Sequence, residues 1–246
     1  MLYHAKAPLP GAKVIEPERV VFTDEGLHYE MGLVYGKADG KDLLMDCIYP
    51  KGIPEPLPCV LWIHGGGWAS HDLTRVYRPE RQMAELAKLG FVCASIDYRL
   101  SDEAVFPAQL EDCKCAVRYL RAHAEELHID PERIAVGGES AGGALAIYLC
   151  RDAETRGLPA PKFQMLIYPV ADERMETESM KKYTDTPMWN AEHNAEMWRM
   201  YLEGKTCPEA SPMEMELPKQ LPLTYMEVAE LDCLHDEGVA YARRLG

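Results

Sequence analysis

The sequence predicts an α/β fold, with a mostly parallel central sheet covered by helices on both faces. Two observations carry this expectation. Short apolar runs rich in β-branched residues alternate with longer segments of helical period. The chain has 246 residues, 47% hydrophobic and 27% charged, the composition of a globular chain with enough length for one sizeable core. One domain over residues 1–246 is therefore expected.

Taken in order, residues 43–49 and 59–64 read as successive strands, separated by Pro50, Gly52, Pro54, Pro56 and Pro58, which break any helix. Residues 78–89 have helical spacing and Gly90 is placed to end that helix. Residues 91–97 form the next strand. Pro107 then opens a helix reaching Leu127, with Leu110, Val117, Leu120 and Leu127 on its apolar side. Asp130-Pro131 starts a turn, residues 133–137 form a short strand, and the apolar run from Ala141 to Cys150 reads as a helix. Residues 163–168 and 223–228 add two strands, and residues 237–245 a final helix. Between Ala171 and Pro212 the alternation stops. That segment carries Trp189, Trp198, Tyr201 and several Met residues, which suit a helical cap over a pocket or simply core filling.

The formal net charge of −14, without any cluster of Lys and Arg, excludes nucleic acid as a partner. The first residues lack a signal-peptide pattern, and no apolar run approaches the ~18 residues of a membrane span. A soluble, cytoplasmic protein with no membrane partner is expected. The eight Cys are dispersed, with Cys59, Cys93 and Cys150 in apolar surroundings, and read as core thiols. Cys113-Lys114-Cys115 has no second pair or neighbouring His, so no metal site and no cofactor is assigned.

Gly138-Glu139-Ser140-Ala141-Gly142 lies where a strand meets a helix. A chain that turns this tightly holds the Ser in a strained conformation, and the glycines leave room for strand and helix to approach. The Ser is then exposed at a helix N-terminus, where free N–H groups and the helix dipole favour a developing negative charge. By itself the motif is weak, because Gly and Ser are frequent in turns. Its partner is His64-Gly65-Gly66-Gly67-Trp68, directly after the strand ending at Ile63. Three successive glycines weaken regular structure, and close backbone approach to a ligand explains them. Ser140 is thus the candidate nucleophile. The N–H groups of Gly66, Gly67 and Ala141 are the candidate oxyanion hole for acyl transfer.

With these motifs in place, the sequence resembles the hormone-sensitive-lipase-like esterases (bacterial family IV) of the α/β-hydrolase superfamily, from about Leu43 onward. Further matching runs are Asp97-Tyr98-Arg99-Leu100, Phe106-Pro107-Ala108 with Glu111-Asp112, Leu166-Ile167-Tyr168-Pro169, Asp185-Thr186-Pro187-Met188-Trp189-Asn190 and Asp232-Cys233-Leu234-His235-Asp236-Glu237-Gly238. The resemblance implies an α/β-hydrolase fold with a small helical cap made from residues 1–30 and 171–212. It makes Trp68, Trp189 and Trp198 the expected substrate-binding side chains, gives His64 a loop-supporting role and makes Glu139 a scaffold contact.

A Ser hydroxyl needs a base to take its proton, and the base needs a carboxylate behind it. The resemblance aligns Asp232 with the catalytic acid; Asp236 and Glu237 can equally be helix-start acids. It places the catalytic His about 30 residues further on, in the order Ser, acid, His, beyond Gly246 and past one more strand and helix. His235 and His193 are poor substitutes by position. A truncated esterase and a natural short form both remain open.

The leading functional expectation is a serine carboxylic ester hydrolase for short to medium acyl esters, acting through an acyl-enzyme on a small-molecule ester. Two alternatives stand beside it. One is a carbohydrate esterase removing acetyl or feruloyl groups. The other is a non-catalytic ligand-binding module, as in the gibberellin receptor of plants, which resembles the same family and lacks the His. A strand at residues 223–228 left as an open edge would aggregate or pair into a homodimer.

Overall fold

A computed structural model describes residues 13–14, 19–75, 79–155 and 159–246. Its nine strands form one sheet in the order β1-β2-β3-β4-β6-β5-β7-β8-β9. The parallel part comprises β6 (Val92–Ile96), β5 (Leu57–Ile63), β7 (Ile129–Glu139), β8 (Phe163–Ile167) and β9 (Leu223–Glu227). Antiparallel strands extend it on the other side: β4 (Lys41–Pro50), β3 (Leu27–Ala38), β2 (Val20–Asp24) and β1 (Lys13–Val14).

The helices are α1 (Pro79–Lys88), α2 (Ala108–Ala122), α3 (Ala141–Thr155), α4 (Glu178–Lys182), α5 (Ala191–Tyr201) and α6 (His235–Leu245). Alternation along β5 turns Cys59, Leu61 and Ile63 into the core, where α3 and α2 pack against the sheet. On the other face Val60, Trp62, Met165 and Ile167 are half-buried beside α1, around a hollow of about 370 Å³. At the sheet edge β9 exposes Leu223 (76%) and Tyr225 (47%). No helix among the described residues is long and apolar enough to cross a membrane.

Three expectations are corrected. Residues 20–24 and 27–30, assigned to a cap, are strands β2 and β3 of the main sheet; residues 1–12 and 15–18 lie outside the described ones. Both connections here are two-residue hairpins with φ > 0 at each position, Glu25-Gly26 (46° and 81°) and Asp39-Gly40 (50° and 79°). An Asp-Gly pair between apolar runs is a strong hairpin signal, and residues 27–35 do alternate. The second correction is that α2 ends at Ala122, five residues before Leu127, where His123 caps the helix through its N–H to Tyr119 O (2.9 Å) and irregular turns lead to β7. The third concerns Asp130-Pro131, which is a bulge inside β7. Register jumps there from Leu57↔Ile129 to Cys59↔Ile134, and Asp130 Oδ1 accepts from Glu132 N at 3.0 Å.

Candidate active site

Ser140 sits between the end of β7 and the start of α3 with φ = 52°, a left-handed conformation that is costly for a side-chain-bearing residue. Its backbone is pinned on both sides. Ser140 N donates to Ile167 O (2.9 Å), while its carbonyl accepts from Gly143 N (3.0 Å) and Val170 N (3.1 Å). The flanking glycines are steric necessities. A Cβ on Gly138 would lie 2.5 Å from Gly142 C and O and 2.7 Å from Ile63 O. One on Gly142 would lie 2.6 Å from His64 O and closer still to Ile63 O. Only without these side chains can α3 begin against the end of β5.

The glycine loop after β5 runs through three consecutive positive-φ residues, Gly66 (91°), Gly67 (61°) and Trp68 (53°). Among the described residues, the N–H groups of Gly66 and Gly67 donate to no protein acceptor. The loop is tied to the Ser140 turn: Glu139 Oε1 accepts from Gly65 N (3.1 Å), and a Cβ on Gly65 would meet Glu139 O at 2.8 Å. Glu139 is therefore the scaffold contact expected of it.

Behind the loop, His64 is buried and stacked on Tyr98 (centroids 4.4 Å), with Nδ1 donating to Gly65 O at 2.9 Å. Burial lowers its pKa from 6.5, against the opposing pull of Asp97 4.0 Å away. Held on Tyr98 and Gly65 O and absent from the residues that line the cleft, the ring supports the glycine loop. The neighbouring motif does the same work. Tyr98 Oη donates to His64 O (2.7 Å), Arg75 bridges Asp97 and buried Asp46, and Arg99 forks onto Asp112 (2.9 and 2.8 Å).

A cleft of about 520 Å³ brings Ser140, Gly66, Gly67, Trp189 and Asp232 together, with Tyr168, Met188 and Leu231 also on its wall. Asp232, in the loop after β9, is half-buried and accepts from Leu234 N at 3.0 Å. Ala141 is buried at the first position of α3, beside Ser140. Among the described residues lining the cleft there is no histidine. His235 Nδ1 pairs with Asp236 Oδ1 (2.8 Å) rather than with Asp232, and exposed His193 lies on α5 with its backbone N–H capped by Asn190 (3.0 Å).

Trp189 is the only one of the three expected substrate-binding tryptophans on that wall. Trp68 (0% exposed) and Trp198 (5%) are core residues, in contact with each other and with Tyr201. Aromatic type and motif adjacency suggested substrate contact; burial by α5 decides otherwise.

Sequence reasoning missed the role of two acids. Glu237 is buried, and Oε1 accepts from Ala171 N (2.7 Å), with Asp172 N at 3.4 Å. Burial pushes this carboxyl well above its ordinary 4.5. Asp236 accepts from Ser179 N (2.8 Å), and Ser179 Oγ donates to Cys233 O (2.8 Å). These bonds lock the loop carrying Asp232 to the segment leading into α4. The available signal, acids at a helix start, pointed only to a cap.

The chain matches the α/β-hydrolase fold family over residues 60–246. It is 32% identical over 233 residues to the ethyl acetate hydrolase of Pseudomonas putida, covering 87% of this chain and 73% of that one. To esterase LipI of Mycobacterium tuberculosis it is 35% identical over 204 residues, covering 80% and 63%. Among solved structures, a bacterial heroin esterase superposes with a TM-score of 0.80 at 38% identity, covering 90% of this chain and 72% of the other. Esterase LipW of Mycobacterium marinum superposes with a TM-score of 0.78 at 33% identity, covering 89% and 68%. The chain spans 60%, 73% and 63% of the lengths of three curated relatives. With the strained Ser turn, the glycine loop and the parallel sheet that carries both, these likenesses show that the chain belongs to the α/β-hydrolase fold family, in its hormone-sensitive-lipase-like branch of esterases.

Proposed function

We propose that the protein is a serine carboxylic ester hydrolase acting on small esters with short to medium acyl chains. The observation that carries this reading is the cleft that unites left-handed Ser140 with Gly66, Gly67 and Asp232. Ser140 Oγ attacks the ester carbonyl as its proton passes to a base. The carbonyl oxygen, now an anion, is held by the N–H groups of Gly66, Gly67 and Ala141. Collapse expels the alcohol and leaves an acyl-Ser140 ester, which water hydrolyses. Each oxyanion donor contributes ~2.7–4 kcal/mol in enzymes where one has been removed. Asp232 orients the base, which the family resemblance identifies as a histidine C-terminal to it. The partly apolar wall of Trp189, Met188 and Leu231 suits a small acyl or alcohol group and supports the short-to-medium assignment. A cytoplasmic location belongs to the same proposal, supported by eight free thiols.

The test uses the 246-residue chain and a version extended at its C-terminus by the strand, helix and histidine of its relatives. Each is assayed for p-nitrophenyl butyrate hydrolysis and for labelling by a fluorophosphonate. The extended protein is expected to hydrolyse the ester and to label at Ser140, both lost in Ser140→Ala. An extended protein that does neither refutes the assignment. The same assay also reads the alternative of ligand binding without turnover. Saturable ester binding by an extended protein that never labels would establish it.

A further inference from the structure

The oxyanion hole proposed above is assembled from two separate pieces of chain, the loop at Gly66 and Gly67 and the start of α3 at Ala141. Trp68 joins them. Its indole Nε1–H donates to Ala141 O at 2.9 Å. Its backbone is left-handed, with φ = 53°, although a bulky aromatic residue rarely adopts that region. Such a conformation persists only where surrounding contacts over-determine it.

The other contacts come largely from α5. The Trp68 ring stacks on Tyr201 (centroids 3.7 Å, planes 13° apart) and meets the edge of Trp198 at 5.1 Å. Its carbonyl accepts from Ser101 N at 2.7 Å. Gly67, one residue earlier, fits beneath the same element: a Cβ there would lie 2.8 Å from the Trp189 ring and 3.2 Å from Met197 Cγ. Trp189 is itself oriented by buried Asn194 of α5, whose Oδ1 accepts from its indole N–H at 3.3 Å. The C-terminal end of α5 is anchored in turn, since Tyr201 O accepts from Phe106 N at 3.0 Å.

The geometry points to Trp68 as a positioning residue for the oxyanion hole, through which α5 sets the glycine loop against Ala141. This inference rests on the esterase reading for its catalytic consequence, but the mechanical link is independent of turnover. Trp68 lies outside the cleft and touches no substrate. Its loss therefore lowers kcat with little change in KM, because the oxyanion forms only in the transition state.

The test compares the extended protein and the 246-residue chain, each as wild type, Trp68→Phe and Leu120→Ala. Phenylalanine keeps a ring over Tyr201 and removes the N–H donor. Leu120→Ala opens a cavity on α2, away from the site, as a control for general destabilisation. Trp68→Phe is expected to lower kcat for p-nitrophenyl butyrate roughly 10- to 100-fold with KM within about threefold. It also speeds hydrogen–deuterium exchange in a peptide covering residues 64–69. Leu120→Ala, assayed well below its melting temperature, is expected to do neither. Unchanged kcat together with unchanged exchange in Trp68→Phe overturns the inference, as do equal effects in Leu120→Ala. If the extended wild type has no activity, the esterase reading fails, and exchange at residues 64–69 alone decides whether Trp68 holds the loop.

Discussion

Gly142→Ala is the sharpest test of how the nucleophile turn is built. Ala is the better helix former by ~0.8–1.0 kcal/mol in a helix interior, so propensity alone would make the substitution neutral or stabilising. The structure says otherwise. The new Cβ would lie 2.6 Å from His64 O and closer to Ile63 O. Restoring an ordinary contact of ~3.5 Å requires about 0.9 Å of movement from His64 and more from Ile63. Because the partners are backbone carbonyls at the end of β5, no side chain can swing aside and the start of α3 must shift. Overpacking of this kind costs about 1–3 kcal/mol, or roughly 2–12 °C in Tm for a domain this size. A shift near 1 Å at the nucleophile lowers turnover about 100-fold. Thermal unfolding and the rate of fluorophosphonate labelling at Ser140 measure the two effects. If Gly142→Ala melts at or above the wild-type temperature and labels equally fast, the close-approach account of the Gly-x-Ser-x-Gly run is wrong.

Four further outcomes are expected. Glu237→Ala leaves Ala171 N–H without its acceptor and costs about 1–3 kcal/mol in urea unfolding, whereas Glu237→Gln keeps a carbonyl there and costs less. Because the folded state raises the Glu237 pKa above 4.5, that carboxyl contributes stability that is complete below 4.5 and lost as pH rises through the folded value. Glu237→Gln should therefore gain on the wild type with rising pH, and parallel pH profiles would count against a raised carboxyl. His64 has the opposite sign: its lowered pKa contributes stability above 6.5 that is lost as pH falls through the folded value. His64→Gln should flatten this acid limb in unfolding measured as a function of pH, and an unchanged limb would assign it to other groups. Finally, the exposed edge β9 should let the 246-residue chain self-associate, and Tyr225→Lys with Leu223→Lys should reduce that association. Light scattering that shows wild-type monomers at all concentrations would exclude this contact.

Much of the site is legible in the residues because its chemistry is local. A strained Ser between a strand and a helix, and a loop whose backbone must approach a ligand, both demand glycine at fixed offsets, so Gly138, Gly142, Gly66 and Gly67 declare themselves without coordinates. Parallel strands inside the sheet likewise appear as short apolar runs, which is why β5, β6 and β8 are found close to their bounds, although only β6 is buried along its whole length. Strands β2 and β3 were missed although Glu25-Gly26 marks the turn between them and Asp39-Gly40 the turn from β3 to β4. Residues 27–35 alternate, but the family resemblance assigns the first 30 residues to a cap.

What only the tertiary structure decides is which side of a contact each residue takes. Trp68, Trp189 and Trp198 are chemically alike in the sequence; packing against Tyr201 buries the first and third, while Trp189 faces the cleft. Asp232, Asp236 and Glu237 lie within one short acidic run; chain geometry sends Asp232 to the cleft and uses the other two to hold residues 171–179. The sequence by itself singles out the strained Ser140 turn and the glycine loop, because backbone strain and close approach restrict residue type at single positions. Long-range packing assigns the tryptophans and the acids, because hydrophobicity and charge say that a side chain needs a partner without saying which one.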